Sequence, residues 1–497
     1  MTPRWLLTTF FLLLSLSVIT GCSDLSSGGE TTIISPVASE DTNTEEDATP
    51  EPEPEPTPEP EPEPAPAPDP IIEVDGVTFL REVIVDPNNA EALPTIQAAL
   101  DQAQPGDKIT IVAGSFEQSE TINEASSLKA LVLRTSGTAD NPILIEGAVT
   151  EDLELLTIID QKKIVADADE PIAGIYLDCV SHVTLRNLRI TNVNQAGVTS
   201  SLSGCKTEKV TVNNLVVNNI SGGQLTSGLR FAHVEALKVF NSHIENVTVD
   251  ELGYNETFDT RAPSADMNIN TLEVSNNRID GATKGVEVAM TQAMQVDSTL
   301  IQKNRIANVE EAVSLSTQAA YQPSITTARV FDNVISQVGE AVKVSANDEF
   351  LIQTLIVDNN TIVQSSGESA LVFRGVVDAN IRNNLFYDYE KLITTHALAN
   401  EAINFISFWN YNAYWGAKDN IQWTLAKGSP QHERFWADYT QWQHTDLQSQ
   451  ELLNAPDKNS LTDVEPIFIN ENYELAADSP LLTAGVAGEV IGAKPQE

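Results

Sequence analysis

Apolar and polar residues alternate along most of the chain beyond residue 80, over runs of four to six residues. In Val183-Thr-Leu-Arg-Asn-Leu-Arg-Ile190, apolar side chains occupy every second position on each side of an asparagine. A helix would instead repeat its apolar positions at intervals of three and four residues. Val, Ile, Leu and Thr dominate these runs, and Gly or Asn separates them, so the pattern predicts short β-strands.

Short phrases that contain asparagine and close on an apolar residue recur along the chain. The closing residues are separated by 27, 27, 35, 27, 29, 27 and 24 residues, and they are Ile190, Val217, Ile244, Ile279, Ile306, Ile335, Ile362 and Phe386. One such repeat cannot bury its apolar side alone, whereas stacked repeats pair their backbones and share a core. The spacing therefore predicts a parallel β-solenoid with about 27 residues per rung.

Asparagine occupies one position of five successive repeats, at Asn277, Asn304, Asn333, Asn360 and Asn384. A tight corner favours a residue that tolerates left-handed φ and ψ, and asparagine does so while hydrogen-bonding its neighbours. We expect these residues to form a structural ladder at one corner of the solenoid.

Both ends of the repeat region fit a capped solenoid. Thr95–Ala103 predicts a short amphipathic helix, with Ile96, Ala99 and Leu100 on its apolar face, that would cover the first rung. The phrases Thr95-Ile-Gln-Ala-Ala-Leu, Gln104-Pro-Gly-Asp-Lys-Ile and Asp463-Val-Glu-Pro-Ile-Phe468 resemble segments of pectate-lyase-like β-helix proteins. This resemblance implies an all-β fold, the right-handed parallel β-helix, over about residues 80–490, ending in an aromatic-rich C-terminal cap.

Residues 1–22 are typical of an export signal. Arg4 is followed by an apolar run from Leu6 to Ile19, and Ile19-Thr-Gly-Cys22 resembles a bacterial lipobox with Cys22 as the lipidated residue. The alternative is an ordinary signal peptide with a chance cysteine. By resemblance to Gram-negative lipoproteins, Ser23 implies retention at the outer membrane, facing the periplasm or the cell surface.

Residues 23–70 contain fourteen acids, twelve prolines and no lysine or arginine, which predicts a disordered spacer. A partner-binding motif is the alternative. The predicted organisation is a signal peptide over residues 1–22, a tether over 23–70, a β-helix over 71–404 and a C-terminal cap of the same domain over 405–497.

The net charge of −43 leaves −30 for residues 71–497. Nucleic-acid binding by phosphate neutralisation is excluded because it needs a basic face. An acidic polysaccharide stays possible only with a local cationic cluster or a bound cation such as Ca²⁺.

The sequence contains no Asp-Asp pair of the kind that polygalacturonase-type hydrolases use, and no zinc-type His/Cys spacing. Lys206-Thr and Leu-Arg230 resemble the phrases that carry base and acid in the chondroitinase B/alginate lyase family. The resemblance implies Lys206 as the base and Arg230 as the acid of a β-elimination. The sequence departs from that family after Arg230, where Phe231-Ala232 stands in place of His-Gly. Structural roles for both residues are the alternative.

The 35-residue interval between repeats contains an insertion at about 248–266. Its acids include Asp250, Asp259 and Asp266, and an oxygen-rich loop of this kind suits Ca²⁺. A solvated acidic loop is the other interpretation.

Five of the six tryptophans lie between Trp409 and Trp442. Aromatic rings stack on sugars and also fill a compact cap. Trp409 and Trp415, together with His233 near Arg230, are the candidate sugar-binding residues. We expect most of the remaining aromatic residues to lie in the cap.

Cys179 and Cys205 are 26 residues apart, nearly one rung, so they should lie close together on adjacent rungs. Export permits a disulfide, and two buried thiols are the alternative.

These observations predict a membrane-anchored monomer that meets the membrane only through its lipid and acts on or binds extracellular polysaccharide. One hypothesis is a lyase that cleaves acidic glycans by β-elimination. The other is a glycan-binding or adhesion protein without catalysis.

Overall fold

The computed structural model describes residues 72–117, 122–123, 128–161, 172–200, 205, 207–222, 226–232, 234–245, 247–249, 258–261, 267–290, 294–317, 324–346, 351–364, 369–389, 391–396, 406–416, 422–424, 433–435, 457–462 and 464–494. The chain divides into two units, Met1–Ala67 and Pro68–Glu497, and every described residue belongs to the second. The export signal, Cys22 and the tether lie outside the described residues and stay predictions. No helix among the described residues is long and apolar enough to cross a bilayer.

Strands make up nearly all of the regular structure. The first seventeen are β1 (Ile72–Val74), β2 (Val77–Phe79), β3 (Arg81–Val85), β4 (Asp107–Ile111), β5 (Gly114–Glu117), β6 (Ile122–Asn123), β7 (Leu128–Leu133), β8 (Ile143–Gly147), β9 (Thr157–Asp160), β10 (Ile172–Leu177), β11 (Val183–Val193), β12 (Ala196–Ser200), β13 (Thr207–Gly222), β14 (Ser227–Ala232), β15 (Val234–Phe240), β16 (His243–Glu245) and β17 (Val247–Val249).

The second half continues in the same way. Its strands are β18 (Phe258–Arg261), β19 (Met267–Ser275), β20 (Arg278–Met290), β21 (Met294–Gln302), β22 (Arg305–Thr317), β23 (Ser324–Phe331), β24 (Val334–Ser345), β25 (Ile352–Asp358), β26 (Thr361–Val363), β27 (Leu371–Arg374), β28 (Val376–Arg382), β29 (Leu385–Tyr387), β30 (Ile393–Thr395), β31 (Ile406–Asn410), β32 (Ala413–Trp415), β33 (Gln422–Thr424) and β34 (Glu433–Phe435). One α-helix, α1 (Ile96–Asp101), and two 3₁₀ helices, Pro480–Thr483 and Val486–Gly488, complete the described elements.

The strands stack into three parallel sheets. Sheet A contains β3, β4, β8, β15, β19, β21, β23, β25, β28, β31 and the first parts of β11 and β13. Sheet B contains β5, β9, β16, β26, β29, β32, the later parts of β11 and β13, and the first parts of β20, β22 and β24. Sheet C contains β7, β10, β12, β14, β18, β27, β30 and the last parts of β20, β22 and β24.

Each rung passes through sheets A, B and C in turn, which makes the chain a right-handed parallel β-helix of about 9 turns with about 27 residues per turn. The predicted fold class and repeat length are confirmed. The side chains that point inward on all three sheets are mainly Val, Ile and Leu, and they form one continuous buried core. Gly197 of sheet C is required by this packing, because a Cβ there would lie 2.3 Å from Val217 Cγ1.

The predicted asparagine ladder is present at the bend from sheet A to sheet B, which we term the A–B corner. The side-chain Nδ2 of each asparagine donates to Oδ1 on the next rung at 3.0 to 3.1 Å, through Asn277, Asn304, Asn333, Asn360, Asn384 and Asn412. All six are buried, and Asn412 adds a member that the sequence prediction did not include.

One detail of the prediction is wrong. On each rung of the ladder the residue in the left-handed region is the one that precedes the ladder asparagine. The left-handed residues of this corner, with φ between 52° and 59°, are Asn187, Asn214, Asn241, Asn276, Lys303, Asp332, Asn359, Asn383 and Tyr411. The chain bends there, so the following asparagine points inward and bonds the backbone of the corner.

Helix α1 covers the first rung, as predicted. Thr95 Oγ1 accepts a hydrogen bond from Ala98 N at 3.1 Å and begins the helix, while Ile96, Ala99 and Leu100 face the core. The Gln97 side chain donates to Val132 O at 3.0 Å and accepts from Val132 N at 2.8 Å. Gln97 thereby hydrogen-bonds the backbone N–H and C=O groups of Val132 at the edge of sheet C, as a neighbouring strand would.

The end of the chain returns along the outside of the A–B corner. Asn359 Nδ2 donates to Val490 O at 2.7 Å, and Asn383 Oδ1 accepts from Val486 N at 2.9 Å. Leu475, Leu481, Val490 and Ile491 pack with Leu385 and Ala413 in a small apolar cluster of their own. The last rungs of this corner are therefore covered by the chain itself.

Candidate functional site

The outer face of sheet C carries a row of polar residues in direct register. On successive rungs the paired positions are Thr199, Arg230, Asp259, Glu287, Ser314 and Lys343, which we term the sheet C row. The register places each residue one strand spacing, about 4.8 Å, from the next. The stacking of rungs thus aligns six positions that are widely separated in the sequence.

Strand alternation explains why the described side chains of this row face outward. Leu229 and Phe231 on either side of Arg230 belong to the buried core, as do Val286 and Val288 on either side of Glu287. The intervening residue points to the other face of the sheet. Arg230 is only 2 % exposed and Glu287 only 1 %, so both charges lie in partly desolvated surroundings.

Two lysines on this face form ion pairs with glutamates. Lys284 pairs with Glu287 on the same strand. Lys343 Nζ lies 2.7 Å from Glu311 Oε1 and 2.9 Å from Glu340 Oε2. The Oε2 atom of Glu287 is buried and accepts no hydrogen bond, so this carboxylate keeps one unused acceptor.

These contacts fix the charge state of Lys343 and Glu311. Burial alone would lower the pKa of Lys343, but its hydrogen bonds to Glu311 and Glu340 outweigh burial and raise the pKa above the usual value. Burial would likewise raise the pKa of Glu311, but hydrogen bonds from Lys343 and Ser314 lower it overall. At neutral pH, Lys343 is therefore a fixed cation and Glu311 a fixed carboxylate.

Two of the residues selected from the sequence come together in this row. Arg230 and Asp259 are directly paired on β14 and β18, although they come from the lyase-like motif and from the acidic insertion respectively. Only the backbone of Asp259 is described. Lys206, His233, Asp250 and Asp266 lie outside the described residues, so the base, the sugar contact and the Ca²⁺ ligands assigned to them stay predictions. The described side chains include no group of three or more His, Cys, Asp or Glu that could hold a metal ion.

The assignment of Trp409 to sugar binding is wrong. Its side chain is completely buried, and Nε1 donates to the Tyr414 hydroxyl at 2.7 Å. That hydroxyl in turn donates to Asp457 Oδ2 at 2.6 Å, which ties sheet B to the C-terminal region. Trp409 belongs to the continuous core of the solenoid, and none of its ring faces solvent. Trp415 is half-buried at the end of β32, and a sugar-binding role for it stays a prediction.

Cys179 and Cys205 form a disulfide, with their Cα atoms 5.6 Å apart. The bond links the segment after β10 to the segment after β12, one rung further on. It lies beside the N-terminal part of sheet C, near the start of the sheet C row.

Sequence reasoning did not find Glu287, Ser314 or Lys343. The signal was present, because each follows the closing isoleucine of its repeat, Ile279, Ile306 or Ile335, by eight residues. Aligning the repeats on that isoleucine would have placed the three polar residues in one column. The ion-pairing partners Lys284, Glu311 and Glu340 align in the same way, three residues earlier.

No family model matches the chain, and no curated protein matches it. Solved structures similar to it include a pectate lyase (13 % identity, 85 % of this chain and 98 % of that chain, TM-score 0.40) and a rhamnogalacturonan lyase (11 %, 80 % and 95 %, TM-score 0.38). A family 28 exopolygalacturonase of Yersinia enterocolitica is also similar (11 %, 71 % and 79 %, TM-score 0.41). All are parallel β-helices. The similarity concerns the fold, and no residue role is transferred from these proteins.

Proposed function

We propose that the protein recognises an acidic extracellular polysaccharide along the outer face of sheet C and cleaves it by β-elimination. The observation that carries the proposal is the sheet C row, in which Arg230 and Lys343 hold positive charge in register with carboxylates on intervening rungs. Because carboxylates accompany these cations on a chain of net charge −43, an acidic substrate would in addition need a bound cation such as Ca²⁺ at this face.

The reaction needs a base that removes the proton beside the uronate carboxylate and a positive charge that stabilises the developing enolate. Lys206 is the proposed base. Arg230 would supply positive charge and the proton for the departing glycosidic oxygen as the C4–O bond breaks and the C4=C5 double bond forms. Asp259 with Asp250 or Asp266 would hold Ca²⁺, which would supply positive charge to offset the substrate carboxylates.

A non-catalytic glycan-binding protein is the second candidate. The ion pairs of Lys284 and Lys343 favour it, because glutamates hold both lysines charged, so neither is available as a neutral base and catalysis would rest on Lys206. On this alternative the sheet C row binds the glycan without bond cleavage.

An ultraviolet assay for unsaturated uronides on pectate, alginate and chondroitin, with and without Ca²⁺, tests the lyase proposal. We expect product from the wild type and a loss of about 100-fold or more in Lys206→Ala and Arg230→Gln. The matched control is Arg329→Gln on sheet A, which removes an arginine paired with Asp358 at 3.1 Å and should leave activity unchanged. Absence of product from the wild type under all these conditions contradicts the lyase proposal and favours the binding alternative.

We further propose that Cys22 carries the lipid that anchors the protein in the outer membrane, with residues 23–70 as the spacer. The sequence of the export signal supports this anchor. Metabolic labelling with palmitate should mark the wild type and should be lost in Cys22→Ser, together with sedimentation in the membrane fraction. A labelled Cys22→Ser protein would contradict the assignment.

A further inference from the structure

An open trough runs along the N-terminal half of the A–B corner, on a different part of the surface from the sheet C row. Its volume is about 810 Å³, and its lining residues come from five successive rungs. Four strand spacings of about 4.8 Å make this stretch roughly 20 Å long. The trough is lined mainly by asparagine, with Glu146, Arg186, His243 and Arg278 among the other polar residues.

The floor of the trough is a second amide ladder, outside the buried one. Asn276 Nδ2 donates to Asn241 Oδ1 at 2.6 Å, and Asn241 Nδ2 donates to Asn213 Oδ1 at 3.0 Å. Asn214 Nδ2 donates to Asn187 Oδ1 at 2.8 Å, and Asn187 Nδ2 donates to Glu146 Oε1 at 3.2 Å. Each amide is thereby held in a fixed orientation by its neighbours.

The ladder leaves hydrogen-bonding capacity facing the trough. An asparagine side chain has two N–H donors and an oxygen with two lone pairs. Each bond between neighbouring rungs uses one N–H of the donating side chain and one lone pair of the accepting oxygen. Asn241 and Asn276 are exposed and Asn187, Asn213 and Asn214 are half-buried, so hydrogen-bonding capacity reaches the trough most fully on the rungs of Asn241 and Asn276. A sugar hydroxyl both donates and accepts, and a polysaccharide presents hydroxyls at regular intervals.

The trough walls add planar polar groups without a net basic character. The Arg186 guanidinium lies 2.5 Å from both Glu146 and Asp75, and Arg278 is 61 % exposed beside Asp280. Burial lowers the pKa of His243, and the nearby Arg278 lowers it further although Glu245 opposes the change. Its Nε2 is buried without a hydrogen bond. Because each cation has a carboxylate nearby, the walls suit hydroxyl groups better than a polyanion.

The covered half of the same corner shows that these amides accept an outside partner. There, Asn359 Nδ2 donates to Val490 O and Asn383 Oδ1 accepts from Val486 N, so the C-terminal segment uses the ladder's outward capacity. That segment is held in addition by the apolar cluster of Leu481 and Ile491. Among the described residues that line the trough, only Val149 and Leu153 are apolar. The trough therefore lacks an apolar cluster like the one that holds the C-terminal segment.

We infer that the trough binds an extended, uncharged polysaccharide through the hydroxyl groups of successive sugar units. The ladder from Asn187 to Asn276 supplies the repeating contacts, Arg278 and His243 contact one edge of the glycan, and Leu153 contacts the apolar C–H face of a sugar. The site is independent of the sheet C row and holds the glycan without cleaving it.

Calorimetric titration of the full-length protein with galactomannan, xyloglucan and mixed-linkage β-glucan tests this inference. We expect the wild type to bind at least one of them. The Asn241→Gly/Asn276→Gly variant should bind at least about tenfold more weakly, since it loses two amides. Glycine accepts the φ of 54° and 55° at these positions, so the bend is retained.

The matched control is Asn219→Gly, which removes another asparagine with left-handed φ whose side chain bonds Thr191 outside the ladder. It should bind like the wild type. Arg278→Ala, at an exposed side chain, should weaken binding even if the double variant folds poorly. Arg230→Gln should leave this binding unchanged, which separates the trough from the sheet C row. Failure of the wild type to bind any of the three glycans overturns the inference, as does unchanged binding in both trough variants.

Discussion

The A–B corner has an open half and a covered half that share one repeating design. In both halves a left-handed residue bends the chain on each rung, and on most rungs that residue is asparagine. From Asn187 to Asn276 the outer side chains bond one another and face solvent. From Asp332 to Asn383 the corresponding positions are buried beneath the C-terminal segment.

The difference teaches that the corner's local structure does not determine its role. The same bend serves as a polar surface in one half and as a docking site for the chain's own end in the other. The distinguishing feature is the apolar cluster around Leu481 and Ile491, which is confined to the covered half. Packing of that cluster supplies the free energy for covering, because exposed amide hydrogen bonds are nearly balanced by bonds to water.

The largest effect is expected from the buried ladder. Asn333→Ala would leave the bonds to Asn304, Ile301 and Asn360 unmade in a water-free interior. We expect a loss of about 3 kcal/mol or more in the free energy of unfolding, because buried groups without partners lose their solvation uncompensated. Urea denaturation of variant and wild type measures this loss.

The comparison for this variant is Asn241→Gly in the open half. Its partners, Asn213 and Asn276, remain accessible to water, so we expect a cost below about 1 kcal/mol. Equal losses in the free energy of unfolding would show that the buried and the exposed ladders do not differ in the way described.

A smaller effect on stability is expected at Asp332, which is the acidic residue among the covered positions of the corner. Burial raises the pKa of Asp332, nearby Lys494 lowers it, and the charge of Asp358 raises it, so the net shift is upward. The folded state therefore binds this proton more tightly than the unfolded state. Wild-type stability then increases as pH falls through the folded pKa, and that contribution is lost at higher pH.

Asp332→Asn removes the buried charge and suits the φ of 56° at this position. We expect the variant to be more stable by about 1 kcal/mol at pH 7, with the difference shrinking as pH falls below the folded pKa. Urea midpoints at neutral and acidic pH provide the measurement. A stabilisation that grows on acidification would contradict the assigned direction of the pKa shift.

The repeat spacing was sufficient to predict the rungs, the buried ladder and the helix at Thr95, because each depends on residues close in sequence or at a fixed interval. The repeat spacing did not distinguish the asparagines whose side chains turn inward from the residues that precede them at the left-handed bend. Asn276 and Asn277 are chemically identical, and only the sign of φ at Asn276 decides which side chain is buried.

The candidate sites were less accessible to sequence reasoning. Arg230 and Asp259 were selected for different reasons, and their pairing depends on register across the insertion, which spacing alone does not give. Trp409 was misassigned because aromatic composition does not distinguish a buried ring from an exposed one. The cover over Asn359 comes from Val490, 131 residues away, and no local pattern reports such a contact.

The exposed amide ladder also has a direction. Every Nδ2 bond in it points toward the preceding rung, and the acceptor on the first rung is Glu146. The buried ladder beside it points toward the following rung. The two rows of amide dipoles are therefore antiparallel, and the two ends of the outer row differ. A polysaccharide also has two different ends, a reducing end and a non-reducing end. A chain lying in the trough would consequently be held in one orientation, with its reducing end always toward the same end of the solenoid.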